Sequence, residues 1–136
     1  MTDDPVQLIV VDAANVVGSR PDGWWRDRTG AAGRLLVKLT RLDEHLERPA
    51  QVVAVLEGVA KAAGAVQTNP EFESLHVVLA DGSGDDAIVG VVAAAVEEDS
   101  NRSITVVTAD RGLRDRVEAL GAHTVGPRWL LERIES

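Results

Sequence analysis

The chain has 136 residues, of which 45% are hydrophobic and 26% charged, and its formal net charge is -8. These values are typical of a soluble globular protein, so we expect residues 1–136 to form a single domain. The absence of cysteine excludes a disulfide framework and a thiolate metal site. The acidic N-terminus shows no signal-peptide pattern, and no apolar run approaches the roughly 20 residues of a membrane helix. The sequence therefore predicts a cytoplasmic protein without a membrane segment.

Short apolar runs predict five β-strands. Each run is continuous rather than alternating, which is typical of strands covered on both faces of a sheet. The predicted strands are Leu8–Val11, Val52–Leu56, Leu75–Leu79, Ile104–Val107 and Thr124–Val125.

Helical patterns separate most of these strands. Apolar residues at a spacing of three or four predict a helix from about Trp25 to Leu46. A second helix, Asp86 to Glu97, is apolar nearly all round and is expected to be buried. Two more follow, Arg111 to Leu120 and a short last helix that begins near Pro127. The segment Gly58–Ser74 has no clear pattern beyond a short helix around Val59–Ala63.

This alternation of strands and helices predicts an α/β fold. Parallel strands joined by right-handed crossovers give a three-layer α/β/α sandwich with a central, mostly parallel sheet of about five strands.

Acidic residues recur just after the predicted strands. The carboxyl ends of parallel strands meet at one edge of a sheet, where open α/β sheets bind ligands. Carboxylates gathered there repel one another unless a cation lies among them, and oxygen donors without cysteine suit Mg2+ or Mn2+. The acids concerned are Asp12, Glu57, Asp85, Asp86 and Asp110.

Turn formation and helix capping are the competing explanations for these acids. Asp12 and Asn15 together can form a turn. One of Asp85 and Asp86, or Ser83, is enough to cap the following helix. Two adjacent acids exceed that need, so we expect Asp86 to face the ion, with Asp85 nearby.

The remaining two acids also have structural alternatives. Asp110 can cap its own helix, a task that Thr108 can also perform. Glu57 stands before Gly58 and is equally well explained as a loop residue.

Arginines and a tryptophan pair supply candidate contacts to a polyanion. Residues 51–100 hold 9 acids and 1 base, so the acidity is concentrated there, while arginines cluster outside it. We expect Arg26, Arg28 and Arg111 to contact substrate, although ion-paired helix faces explain such residues too. Trp24-Trp25 can stack on a base, but such a pair more often packs on the core.

Three motifs together resemble the NYN-domain branch of the PIN-like nucleases. They are VDAANVVGS, GSGDDAIV and VVTADRGLRDRVEALGA, in this order, and the resemblance extends from Leu8 to Leu131. It implies an acidic, Mg2+- or Mn2+-binding pocket and endoribonuclease activity. By the same resemblance Asp12, Asp86 and Asp110 correspond to the metal-binding acids, and Asn15 to the polar residue after the first acid.

The sequence departs from the family at Ala13, where glycine is common. A further family acid has no certain counterpart, and Glu57 is the best-placed candidate for it. Many family members select substrate with a partner or a second domain, which leaves a homodimer or a protein partner open.

The expected function is metal-dependent hydrolysis of RNA. Asp12, Asp86 and Asp110 would hold the ion, with Glu57 as a further ligand and Asp85 nearby. Asn15, Ser83 and Arg111 would position the phosphate. Two alternatives stay open, namely a non-catalytic RNA- or protein-binding module of the same fold and a nucleotide phosphohydrolase. A nucleotide-cofactor protein is disfavoured, since the chain lacks a Walker loop and a complete G-x-G-x-x-G.

Overall fold

The computed structural model describes residues 6–19, 26–42, 46, 50–58 and 75–135. The strands are β1 (Gln7–Asp12), β2 (Ala50–Leu56), β3 (Leu75–Leu79), β4 (Ile104–Val107) and β5 (His123–Val125). The helices are α1 (Ala13–Gly18), α2 (Arg28–Leu39), α3 (Gly84–Glu98), α4 (Arg111–Glu118) and α5 (Pro127–Ile134). Across these ranges no helix is both long and apolar enough to span a bilayer.

The five strands form one sheet in the order β3-β2-β1-β4-β5, and every neighbouring pair is parallel. The α/β fold is thus confirmed, and the sheet is fully rather than mostly parallel among the described strands. From β1 the chain proceeds outward to β2 and β3, then returns to place β4 on the other side of β1.

Two hydrophobic cores cover the two faces of the sheet. Successive side chains of a strand point to opposite faces, so the apolar run of β1 supplies both cores. Ile9 and Val11 pack with residues of α1, α2 and α5. Leu8 and Val10 pack with residues of α3 and α4. This division explains why the strand sequences are continuously apolar.

Two helices, α1 and α2, differ from the sequence prediction in their presence or bounds. A short α1, absent from the prediction, begins directly after Asp12, whose side chain caps it. The helix predicted from Trp25 to Leu46 spans only Arg28–Leu39, because Asp27 caps its start and Thr40 ends it. Leu42 nevertheless stays buried in the core beyond the end of the helix.

The burial expected for the apolar α3 is also wrong in part. Its residues Ile88, Val92 and Ala95 are buried against the sheet, but Gly90 and Ala94 on the other side are exposed. The predictions for Trp24-Trp25 and for Val59–Ala63 concern residues outside the described ranges.

Asp27 offers a test of the boundary of α2, since its carboxylate accepts a 2.9 Å hydrogen bond from the backbone N–H of Gly30. We expect Asp27→Ala to lower the free energy of unfolding by about 1 kcal/mol, as loss of a helix N-cap does. Asp27→Asn keeps an acceptor and should be nearly neutral. Urea denaturation of the three proteins measures the difference, and equal losses in both variants would contradict the capping role.

Candidate functional site

The site lies at the switch point of the sheet, where β1 and β4 are neighbours but their connections leave in opposite directions. In open α/β sheets, ligands bind in the crevice that this reversal creates at the carboxyl ends of the strands. Asp12 is the last residue of β1, and Asp110 follows β4 by three positions. The fold therefore brings together two acids that are far apart in the sequence.

Asp12 is buried at the carboxyl end of β1, with 6% of its surface exposed. One carboxylate oxygen accepts a 2.9 Å hydrogen bond from the hydroxyl of Thr108, and the other accepts from the backbone N–H of Asn15 at 3.4 Å. Burial raises the pKa of Asp12, although these two hydrogen bonds lower it. The charges of Asp85 and Glu57 raise it further.

Thr108 connects the two acids of the switch point and is fully buried. Its hydroxyl donates to Asp12 and accepts a 3.1 Å hydrogen bond from the backbone N–H of Asp110. The sequence identified Thr108 only as an alternative helix cap. Its position directly after β4 was the available signal, but its partner is 96 residues away.

Asn15 also bridges the ends of β1 and β4. Its side-chain oxygen accepts a 2.8 Å hydrogen bond from the backbone N–H of Ala109. The backbone N–H of Ala109 can pair only with the side-chain oxygen of Asn15, so the Asn15 amide nitrogen faces away from Ala109. Its two N–H groups are then available as donors. None of the described residues accepts from this nitrogen, so Asn15 offers hydrogen-bond donors beside Asp12.

Glu57 follows β2 and contacts the start of α3. Its carboxylate accepts a 2.7 Å hydrogen bond from the backbone N–H of Gly84, the first residue of that helix. A Cβ atom at position 84 would lie 3.0 Å from the Glu57 carboxyl carbon, so glycine permits this close approach. Glu57 is therefore fixed at the carboxyl edge of the sheet rather than in an unconstrained loop.

Asp85 faces the other acids from the first turn of α3. Its pKa is raised chiefly by partial burial, and the charges of Asp110 and Glu57 raise it further. Arg116 opposes the shift. Since Asp85 also raises the pKa of Asp12, these carboxylates influence one another across the ends of β1, β2 and β4.

Asp86 has different surroundings from those the sequence predicted. It is exposed and forms a 2.9 Å ion pair with Arg116 on α4, a contact that lowers its pKa. Ser83 is the actual N-cap of α3, since its hydroxyl accepts from the backbone N–H of Asp86 at 3.1 Å. Asp12, Glu57, Asp85 and Asp110 are linked by the charge interactions that contribute to the raised pKa of Asp12 and Asp85, and we call these four residues the acidic group.

The remaining predicted residues lie at the N-terminal ends of α4 and α2. Asp110 is the N-cap of α4 and accepts a 3.0 Å hydrogen bond from the backbone N–H of Leu113. Arg111, the first residue of that helix, is exposed beside it. Arg26 and Arg28 are exposed at the start of α2, which lies on the opposite face of the sheet from α3.

The donor set of the acidic group fits a hard divalent cation, because it consists of carboxylate oxygens without sulfur or clustered imidazole. Over the described residues, however, no three acidic or histidine side chains lie close enough together to hold an ion. Asp110 is engaged as a helix cap and Glu57 as an acceptor for Gly84. Ion binding would therefore require some of these side chains to exchange their present hydrogen bonds for the metal.

Comparison with solved structures shows the same fold in Rae1 (YacP) from Bacillus subtilis. The two chains share 18% sequence identity with a TM-score of 0.74, over 96% of this chain and 74% of Rae1. A point mutant of Rae1 gives a TM-score of 0.72 at the same identity, over 95% and 74% of the two chains. Neither a protein-family model nor a curated protein matches the sequence.

The raised pKa of Asp12 predicts how its substitution affects stability. A carboxyl whose pKa is higher in the folded state contributes stability below its unfolded pKa, and that contribution is lost as the pH rises through the folded value. We therefore expect Asp12→Asn, which keeps the shape of the side chain, to be more stable than the wild type at pH 7. The gain should shrink as the pH falls towards the ordinary value of 3.8.

Thermal denaturation as a function of pH measures this effect, and Asp86→Asn is its matched control. The pKa of Asp86 is lowered, so the wild type should lose stability relative to that variant on acidification. The same sign in both variants would contradict the different surroundings assigned to the two aspartates.

Proposed function

We propose that the protein is a divalent-metal-dependent endoribonuclease whose site is the acidic group of Asp12, Glu57, Asp85 and Asp110. The observation that carries the proposal is that the buried Asp12 interacts electrostatically with Asp85 and Glu57, and Asp85 with Asp110. Burial is the main cause of the raised pKa of Asp12 and of Asp85, and repulsion from these neighbouring carboxylates raises both further. Buried charges of one sign are unfavourable unless a counter-charge joins them. A bound cation would remove that repulsion.

Two further observations support a nuclease. The acids lie at the switch point, where ligand sites of open α/β sheets are found. The similarity to Rae1 agrees, at the level of the fold, with the resemblance of the sequence to NYN-type nucleases. The metal, its identity as Mg2+ or Mn2+, and RNA as the substrate rest on the donor set and on that resemblance.

A bound ion would supply a water of lowered pKa and neutralise charge on the scissile phosphate. Asp12, Asp85 and Asp110 would hold it, with Glu57 as the further ligand. Thr108 keeps the Asp12 carboxylate oriented through its 2.9 Å hydrogen bond. The amide nitrogen of Asn15 is available to donate to a non-bridging phosphate oxygen, and the exposed guanidinium of Arg111 can pair with the same group.

Ser83 contributes in a more limited way, because its hydroxyl oxygen already accepts from Asp86. Its proton remains able to reach a phosphate oxygen at the start of α3. The backbone N–H groups of that helix and its dipole also favour an anion there, where Glu57 now accepts from Gly84.

The adjacent aspartates of α3 provide the sharpest test of this site. We expect Asp85→Asn to reduce Mn2+-dependent cleavage of a single-stranded RNA by about a hundredfold or more, since loss of a coordinating carboxylate weakens both ion binding and the chemistry. Asp86→Asn removes the same charge from the neighbouring residue and should keep nearly full activity. A gel assay of end-labelled RNA with each variant gives the comparison.

The other possible outcomes would indicate a different metal ligand or a different function. Loss of activity in Asp86→Asn alone would place the ion where the sequence first predicted it and would overturn the assignment of Asp85. Turnover of free nucleoside triphosphates but not of RNA would indicate a phosphohydrolase. No cleavage, together with no calorimetric binding of millimolar Mn2+, would indicate a non-catalytic module.

A further inference from the structure

A groove of about 540 Å³ lies between the edge strand β3 and the outer side of α3. It is separate from the acidic group, although Ser83 and Asp86 lie at one end of it. The strand side is formed by Val78, Leu79 and Ala80. The helix side is formed by Ala87, Gly90, Val91 and Ala94, all without polar side-chain atoms.

The strand side of the groove has unpaired backbone groups. β3 is the terminal strand of the sheet, and the backbone N–H of Ala80 donates to Leu56 of β2 at 2.9 Å. Backbone polar groups alternate in direction along a strand, so those of Val77 and Leu79 point away from β2. No described residue pairs with them on that side, and 46% of the surface of Leu79 is exposed. An edge of this kind is a template for a further strand.

The helix side is shaped for close approach. Gly90 and Ala94 are exposed and small, and a Cβ atom added at Gly90 would have no neighbour within 4 Å. Helix α3 therefore leaves space for a backbone to lie along β3, with small apolar side chains directed towards Val91.

The charge around the groove determines the kind of molecule. From residue 75 to residue 98 the chain has five acids and no lysine or arginine, although Asp86 is ion-paired with Arg116 of α4. Asp81 and Asp86 lie at one end of the groove, and Glu97 and Glu98 end α3 one turn beyond Ala94. A second copy of this chain would bring two acidic surfaces together, which is unfavourable. A basic partner would be attracted.

We propose that this groove binds an extended, basic peptide segment of another protein, which adds to β3 as a sixth strand. Its backbone pairs with the outward groups of Val77 and Leu79, as in other cases of strand addition to a sheet edge. Every second side chain is small and apolar and faces α3, while lysine or arginine side chains reach the acids at the two ends. The interaction does not use the carboxylates of the acidic group.

The experiment uses a short fluorescent peptide, called the lysine–valine peptide, whose central run alternates valine and serine and whose two ends each carry two lysines. It is titrated into the full chain and followed by anisotropy. One control peptide has glutamate in place of lysine, and a second has proline at its centre, which removes a backbone donor. Only the first peptide should bind. Binding should shift the amide resonances of Val77 and Leu79 in a nitrogen–proton correlation spectrum and protect them from hydrogen exchange.

Two glycine substitutions complete the test. Gly90→Leu fills the groove from the helix side, whereas Gly33→Leu makes the same change on α2, where an added Cβ also meets nothing within 4 Å. Leucine is the better helix former at both positions, so both variants should fold. We expect Gly90→Leu to weaken peptide binding by about tenfold or more and Gly33→Leu to leave it unchanged.

Three results would overturn the proposal. The first is absence of binding by the lysine–valine peptide. The second is equal binding of the proline peptide, which would indicate charge attraction without strand pairing. The third is dimerisation of the chain that Gly90→Leu abolishes. Because RNA cleavage does not enter this measurement, its result is separate from that of the nuclease test. Normal cleavage in Gly90→Leu would show in addition that the two sites are independent.

Discussion

The hydroxyl of Thr108 donates a 2.9 Å hydrogen bond to the buried carboxylate of Asp12, and this bond joins the carboxyl ends of β1 and β4. The proposed site depends on it, because Asp12 would otherwise be a buried charge with one weak partner. The same hydroxyl accepts from Asp110, and Asn15 makes a second bridge to Ala109. The switch point is thus held together by polar contacts. Burying such polar groups costs free energy, which is expected of a preorganised binding site more than of a purely structural contact.

Helix α3 contributes to two different surfaces of the molecule. Helix α3 begins with two aspartates that have opposite pKa shifts, because Asp85 faces the acids of the sheet edge and Asp86 pairs with Arg116. The same helix is apolar on both sides, so that one side completes the core and the other borders the groove beside β3. One segment therefore contributes to the acidic group and to the separate groove for which we propose a basic partner.

Most of the fold could be predicted from the sequence. Continuous apolar runs gave β3 and β4 their observed bounds, because a short apolar run between polar segments is a clear local signal even where, as in β3, the strand is only partly buried. The helix bounds were less accurate: the apolar spacing continued through Leu42, which is buried although α2 ends at Leu39. Burial reveals that a residue faces the core but does not reveal its backbone conformation.

The residues of the candidate site could be predicted from the sequence only in part, for a related reason. The positions of Asp12, Glu57 and Asp110 after strands indicated one edge of the sheet, because strand ends are local features. The choice between Asp85 and Asp86 depended on Arg116, 30 residues away, and on Ser83 having taken the N-cap. The role of Thr108 depended on a contact across 96 residues, which no local pattern contains.

The most direct test of the central claim is anomalous X-ray diffraction from crystals of the protein soaked with Mn2+. We expect an anomalous peak at the switch point, coordinated by Asp12 and Asp85 and near Asp110, with Asp86 still paired to Arg116. A peak on Asp86 without Asp85, or no peak near Asp12 at millimolar Mn2+, would contradict this expectation.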